Sequence, residues 1–182
     1  MLRTFHRAVG AAILSLALGA SAHAADLTIG LSTPVTSLDP HFHNLTPNNS
    51  LGRHVFETLV RQDESQHMQP GLAESRKAIS DLEWELKLRK GVKFHNGQNF
   101  TADDVIATFK RVPNVPNSPA SFAFFVRPIV EIKAVDPLTL RLKTDKPHPL
   151  LPNDMGAVMI LPKSVAETAK TEDFNSGKAM IG

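Results

Sequence analysis

The stretch 84–111, WELKLRKGVKFHNGQNFTADDVIATFKR, encodes a complete strand–turn–helix unit and constrains the fold more than any other part of the chain. Trp84, Leu86 and Leu88 alternate with Glu85, Lys87 and Arg89, a period of two that lines apolar side chains along one face of a half-buried strand. Val92 and Phe94 continue the inward face after Gly91. His95-Asn96-Gly97 then predicts a tight reversal, because Asn-Gly accepts positive φ. Thr101 is expected to cap a helix, with Asp104 three residues on as a variant capping box and Asp103 favoured by the helix dipole. Phe100 and Val105 take the staple positions around that cap, Lys110 and Arg111 complement the C-terminal dipole, and Pro113 stops the helix. Asp103 and Asp104 are read as exposed, ionised capping acids. Adjacent helical residues do not face each other, so they are not an acid–base pair.

The N-terminus limits where such a chain works. Arg3 and Arg7 precede an apolar run, Ala8–Ala20, and Ala22-His23-Ala24 supplies a small-x-small cleavage pattern. That order is a secretory signal peptide, residues 1–24, and the apolar run falls short of the roughly 20 residues needed to span a bilayer. Cleavage after Ala24 leaves 158 residues (182 less 24), enough for one ordinary core. The whole chain has 20 Lys+Arg against 18 Asp+Glu, and losing Arg3 and Arg7 leaves 18 against 18. A neutral mature chain offers no basic footprint for nucleic acid. There is no cysteine, hence no disulfide and no cysteine for a lipid anchor. The combination predicts a periplasmic protein held together by packing.

Along the mature chain, Leu27–Leu31 alternates like a first strand, and residues 32–49 form a turn-rich segment of the kind that often binds ligands. Leu51, Val55 and Leu59 recur at helical spacing, which predicts an amphipathic helix over 50–60 capped by Ser50. Gln69–Ser75 reads as a turn and a short apolar contact. Residues 129–145 read as a hairpin about Asp136-Pro137, 157–162 as a buried strand, and 163–169 as a short helix capped by Ser164.

The pattern W-x-L-x-L-R-x-G-V-K-F-H-x-G-x-x-F-T-A-D-D-V resembles the signature of family 5 extracellular solute-binding proteins of ABC transporters, the periplasmic receptors for oligopeptides, dipeptides, nickel complexes and related solutes. Ser37–His41 (SLDPH), Phe56–Val60 (FETLV), Pro70–Ser75 (PGLAES) and Ala134–Leu142 (AVDPLTLRL) agree in order. Arg76 replaces the aromatic usual after LAES, and residues 114–125 form a shorter excursion than is usual. The resemblance implies an α/β fold with mixed α+β sheets: part of lobe I of a two-lobed periplasmic binding protein, in a class-II-like cluster with an extra subdomain. It divides the chain into the signal peptide (1–24), the start of lobe I (25–62), an accessory subdomain (63–170) and a return to lobe I (171–182). Family members continue beyond the point matching Gly182, so the chain is expected to be a truncated reading frame or a form without the second lobe. As such it is expected to expose strand edges and to bind no peptide by itself.

Position in the family implies that Phe42, His43, Asn44, Leu45 and Thr46 line the ligand cleft, the last three presenting backbone amides and carbonyls to an extended solute. The implied function is capture of a peptide or peptide-like solute and its delivery to ABC permease subunits, by a protein that is a monomer when full length and needs no cofactor. A receptor for a nickel chelate or another small non-peptide solute is the alternative. His41, His43 and His54 raise a direct metal site, but no close carboxylate or cysteine partners them, and no metal ligand is assigned. A periplasmic hydrolase ranks last: the chain lacks Gly-x-Ser-x-Gly, His-Glu-x-x-His and any cysteine nucleophile.

Overall fold

The computed structural model describes residues 27–182, so the expected signal peptide lies outside the described residues. In chain order the elements are α1 (Thr46–Gly52), β1 (Val60–Gln62), β2 (Met68–Pro70), β3 (Ala73–Ala78), β4 (Glu83–Leu88) and α2 (Ala102–Arg111). After a 3-10 turn at Val112–Asn114 come α3 (Ala123–Val126), β5 (Ile129–Asp136), β6 (Thr139–Thr144), α4 (Leu151–Met155), α5 (Lys163–Thr168) and α6 (Thr171–Asn175). This is a mixed α/β fold with antiparallel sheets: β1 pairs with β2, and a four-stranded sheet has the order β3-β4-β6-β5.

The two alternating runs seen in the sequence become neighbours in that sheet, where Leu86 pairs with Leu140 and Trp84 with Leu142. Leu86, Leu88, Leu140 and Leu142 are fully buried in one cluster with Val105 and Phe109 of α2. Each such leucine contributes about 1.5–3 kcal/mol by leaving water. The opposite face carries charge, including an Arg141–Glu85 pair at 3.2 Å. Trp84 sits at the edge of the cluster and is only half-buried.

The turn and the cap form as expected. Gly97 takes φ 84°, and its N–H donates to Phe94 O at 2.8 Å. Thr101 is extended (φ −142°, ψ 172°), and both its N–H and its hydroxyl donate to Asp104 Oδ2, at 2.7 and 3.0 Å. Asp103 is exposed, but Asp104 is buried. Its second oxygen accepts the N–H of Lys163 at 2.7 Å, so one carboxylate caps α2 and anchors the start of α5.

Other expectations change. Leu27–Leu31 forms no strand and its leucines are exposed, since alternation makes a strand only where a neighbouring edge supplies hydrogen bonds. The helix expected over 50–60 is instead α1, ending at Gly52. Its buried face is Asn48 and Gly52, while Leu51 is 38% exposed. Asn48 wins that face because its amide exchanges hydrogen bonds with Thr36, accepting the Thr36 N–H at 3.1 Å and donating to its hydroxyl at 3.0 Å. Residues 158–162 are buried but form no strand, holding an isolated bridge from Met159 to Thr58 and a bond from Ile160 N–H to Glu57 O at 2.8 Å. Pro162, not Ser164, is the residue preceding α5, because its fixed φ of −56° suits a helix entrance.

A second cluster, including Phe56, Met159, Leu161, Val165 and Phe174, packs on the far side of α2 through Ala107. Thr108 spans the junction, donating to Leu161 O at 3.3 Å and accepting the Leu161 N–H at 3.0 Å. Residues 33–182 thus form one compact unit organised around α2.

Candidate functional site

Phe42–Thr46 lies between a buried polar anchor and a second loop. On one side, His43 forms a parallel bridge with Ala120, and Asn44 N–H donates to Ala120 O at 2.9 Å. The Ser118 hydroxyl donates to Phe42 O. Leu45 N–H turns back to His43 O at 2.8 Å, and Leu45 is the N-cap of α1. Of the three residues expected to present backbone groups, Asn44 and Leu45 therefore spend their N–H groups within the protein. Thr46 N–H and Asn44 C=O meet no partner among the described residues, and both residues are exposed. Phe42 is half-buried, and His43 places Nδ1 2.8 Å from the Thr36 hydroxyl.

Residues 37–41 hold the loop from behind. Arg111 reaches Asp39 end-on, Nη1 to Oδ1 at 3.0 Å and Nη2 to Oδ2 at 2.7 Å, with the two side chains 7% and 0% exposed. Arg111 stands in the last turn of α2 as expected, and its side chain also turns inward, because a buried carboxylate offers it two charged hydrogen bonds. Its Nη1 also donates to His41 Nδ1 at 2.9 Å, and His41 Nε2–H donates to Met159 O at 2.7 Å. The Thr171 hydroxyl adds a bond to Asp39 Oδ2 at 2.8 Å. Asn175 Oδ1 accepts from the Ser37 hydroxyl at 3.0 Å and from Leu38 N–H at 2.8 Å. The Phe174 ring lies 4.9 Å below the guanidinium carbon.

Electrostatics follow from this packing. Burial, then the Arg111 charge, lower the His41 pKa from its ordinary 6.5 to about 4 against the pull of Asp39. The ring is neutral, with Nδ1 as acceptor. Burial raises the Asp39 carboxyl, but hydrogen bonds and charge from Arg111, with the His41 N–H, bring it below its ordinary value. Both His41 nitrogens are occupied, which removes it from the His41, His43, His54 trio weighed as a metal site.

Beside the loop opens a cavity of about 910 Å³, walled by Phe42 and Thr36, by the end of α2 and the turn after it, and by α5–α6. Sequence reasoning missed Ser118–Ala120 and the Asp39–His41–Arg111–Asn175 anchor. The one local signal was the Asp-Pro-His run itself, three polar or turn-forming residues without a surface role.

Residues 67–182 match the bacterial extracellular solute-binding proteins, family 5, over the family's middle region. The chain belongs to this family. A glutathione-binding protein GsiB from Pectobacterium atrosepticum is 30% identical over 156 residues, 84% of this chain and 30% of that one. An HTH-type transcriptional regulator SgrR from Shigella dysenteriae is 34% identical over 130 residues, 66% of this chain and 22% of the regulator. The solved structure of the Escherichia coli murein tripeptide binding protein MppA superposes with a TM-score of 0.70 at 28% identity, covering 80% of this chain and 32% of MppA. This family 5 chain therefore spans between about a fifth and a third of the length of these relatives.

Proposed function

We propose that the chain is the ligand-gathering part of an ABC importer's receptor, capturing a peptide or peptide-like solute outside the inner membrane and passing it to permease subunits. The observation that carries this reading is the fixed loop 42–46, laid against Ala120 with Asn44 C=O and Thr46 N–H open. Open main-chain groups on a fixed segment recognise an extended main chain irrespective of its side chains. Relatives named for glutathione and murein tripeptide support the solute class. In this reading residues 25–62 begin lobe I, 63–170 form its accessory subdomain and 171–182 return to it. Binding rather than catalysis needs nothing beyond these groups.

The SgrR likeness shows the same region used in a protein named as a regulator. The export pattern of residues 1–24 favours the receptor, because a secreted chain does not meet the chromosome. Mass spectrometry of solute released on denaturing a two-lobed receptor that contains this chain tests the reading. A peptide or peptide derivative is expected; a nickel chelate or a sugar would replace it.

A further inference from the structure

Arg111 has one edge left over. A guanidinium carries five N–H donors in a fixed plane. Nη1 spends two, on Asp39 and His41, and Nη2 spends one on Asp39. The remaining two, Nε–H and the second Nη2–H, lie side by side on the same edge and meet no acceptor among the described residues. No fully buried side-chain nitrogen or oxygen among the described residues lacks a partner, so Nε is not sealed in. Arg111 is among the residues that wall the 910 Å³ cavity, together with Phe42.

We propose that this edge of Arg111 binds a carboxylate of the solute, making the cavity a subsite for an acidic group or a free C-terminus. Two parallel N–H donors match the spacing of carboxylate oxygens, and charge-assisted bonds of this kind are short and directional. The guanidinium is already immobilised by Asp39, His41 and the Phe174 ring, so little side-chain freedom is lost on binding. Around the cavity Lys110 and Lys170 offset Glu167 and Glu172, which leaves the Arg111 edge as the directional element. The proposal rests on the receptor reading for the identity of the solute, but not for the existence of the subsite.

The test is an NMR titration of ¹⁵N-labelled protein, following the Arg111 Nε–H resonance and the amides of 42–46. The probes are propionate, propionamide and trialanine, with sodium chloride as the ionic control. At the millimolar concentrations that fill a lone subsite in a chain without micromolar peptide affinity, propionate and trialanine are expected to move the Nε–H resonance downfield in a saturable manner, while propionamide and chloride leave it in place. Ala169→Phe adds a ring at a residue that lines the cavity and borders the Phe174 cluster, and is expected to abolish the shift in protein whose amide spectrum shows it still folded. An Nε–H resonance indifferent to propionate, or a shift that survives Ala169→Phe, overturns the subsite. If trialanine moves the 42–46 amides and leaves Arg111 unmoved, the receptor reading stands and the carboxylate site falls. If propionate moves Arg111 and trialanine moves nothing, the subsite stands and the peptide reading falls.

Discussion

Arg111 and Asp39, separated by 72 residues in the chain, meet end-on at 3.0 and 2.7 Å in the interior and fix the segment that leads into the 42–46 loop. Removing one partner of a buried pair strands the other charge. Arg111→Met is therefore expected to lower stability by about 3–5 kcal/mol, and Asp39→Leu by a similar amount. Urea unfolding of both single variants and the double variant checks this, and the double variant should cost well under the sum.

Stability should also fall with pH in a window set by His41. Its pKa is lowered in the folded state, so below 6.5 the unfolded chain binds a proton that the folded chain refuses until about pH 4. The His41 contribution is fully present above pH 6.5 and is lost as pH falls towards 4, amounting to roughly 3 kcal/mol at 1.36 kcal/mol per pKa unit. Asp39, with its pKa also lowered, adds a further loss below its ordinary value. Denaturation midpoints at pH 7 and pH 5 read this out, and His41→Gln should flatten the difference between them.

Thr46→Pro separates solute contact from stability. Thr46 is the first residue of α1 and follows an extended Leu45, positions that accept proline and the residue before it. The substitution deletes the open N–H. The melting temperature is expected to hold, while calorimetry on the binding-competent protein should show solute affinity weakened by about 0.5–1.5 kcal/mol, the usual net worth of one hydrogen bond. Undiminished affinity would remove Thr46 from the site.

Asp104 should matter more than the residue it caps. Thr101→Ala is expected to cost about 1 kcal/mol, as a lost N-cap usually does. Asp104→Ala leaves the N–H groups of both Thr101 and Lys163 without their acceptor, so about 2–4 kcal/mol is expected from unsatisfied donors. Thermal unfolding of the two variants side by side gives the ranking.

The parts of the fold legible in sequence are those whose cause is local. Trp84–Leu88 announces its strand by alternation, Asn96-Gly97 its turn, and Thr101 with Asp104 its helix. The reading failed where a distant polar partner outweighed a local pattern. Asn48 took the inner face of α1 from Leu51 through its bonds to Thr36, and the inward turn of Arg111 to Asp39 went unread. No periodicity records such pairings, because hydrogen-bond partners 12 or 72 residues apart leave no trace in a window of neighbours. The same blindness hid Ser118–Ala120, which matter only because the chain brings them back beside Phe42 and His43.

The clamp on Asp39 and His41 has a kinetic side. A loop whose shape is set by α2 and α6 has lost its conformational freedom during folding, before a solute arrives. Binding then orders the solute alone, so the association rate is governed by encounter rather than by waiting for a rare loop conformation.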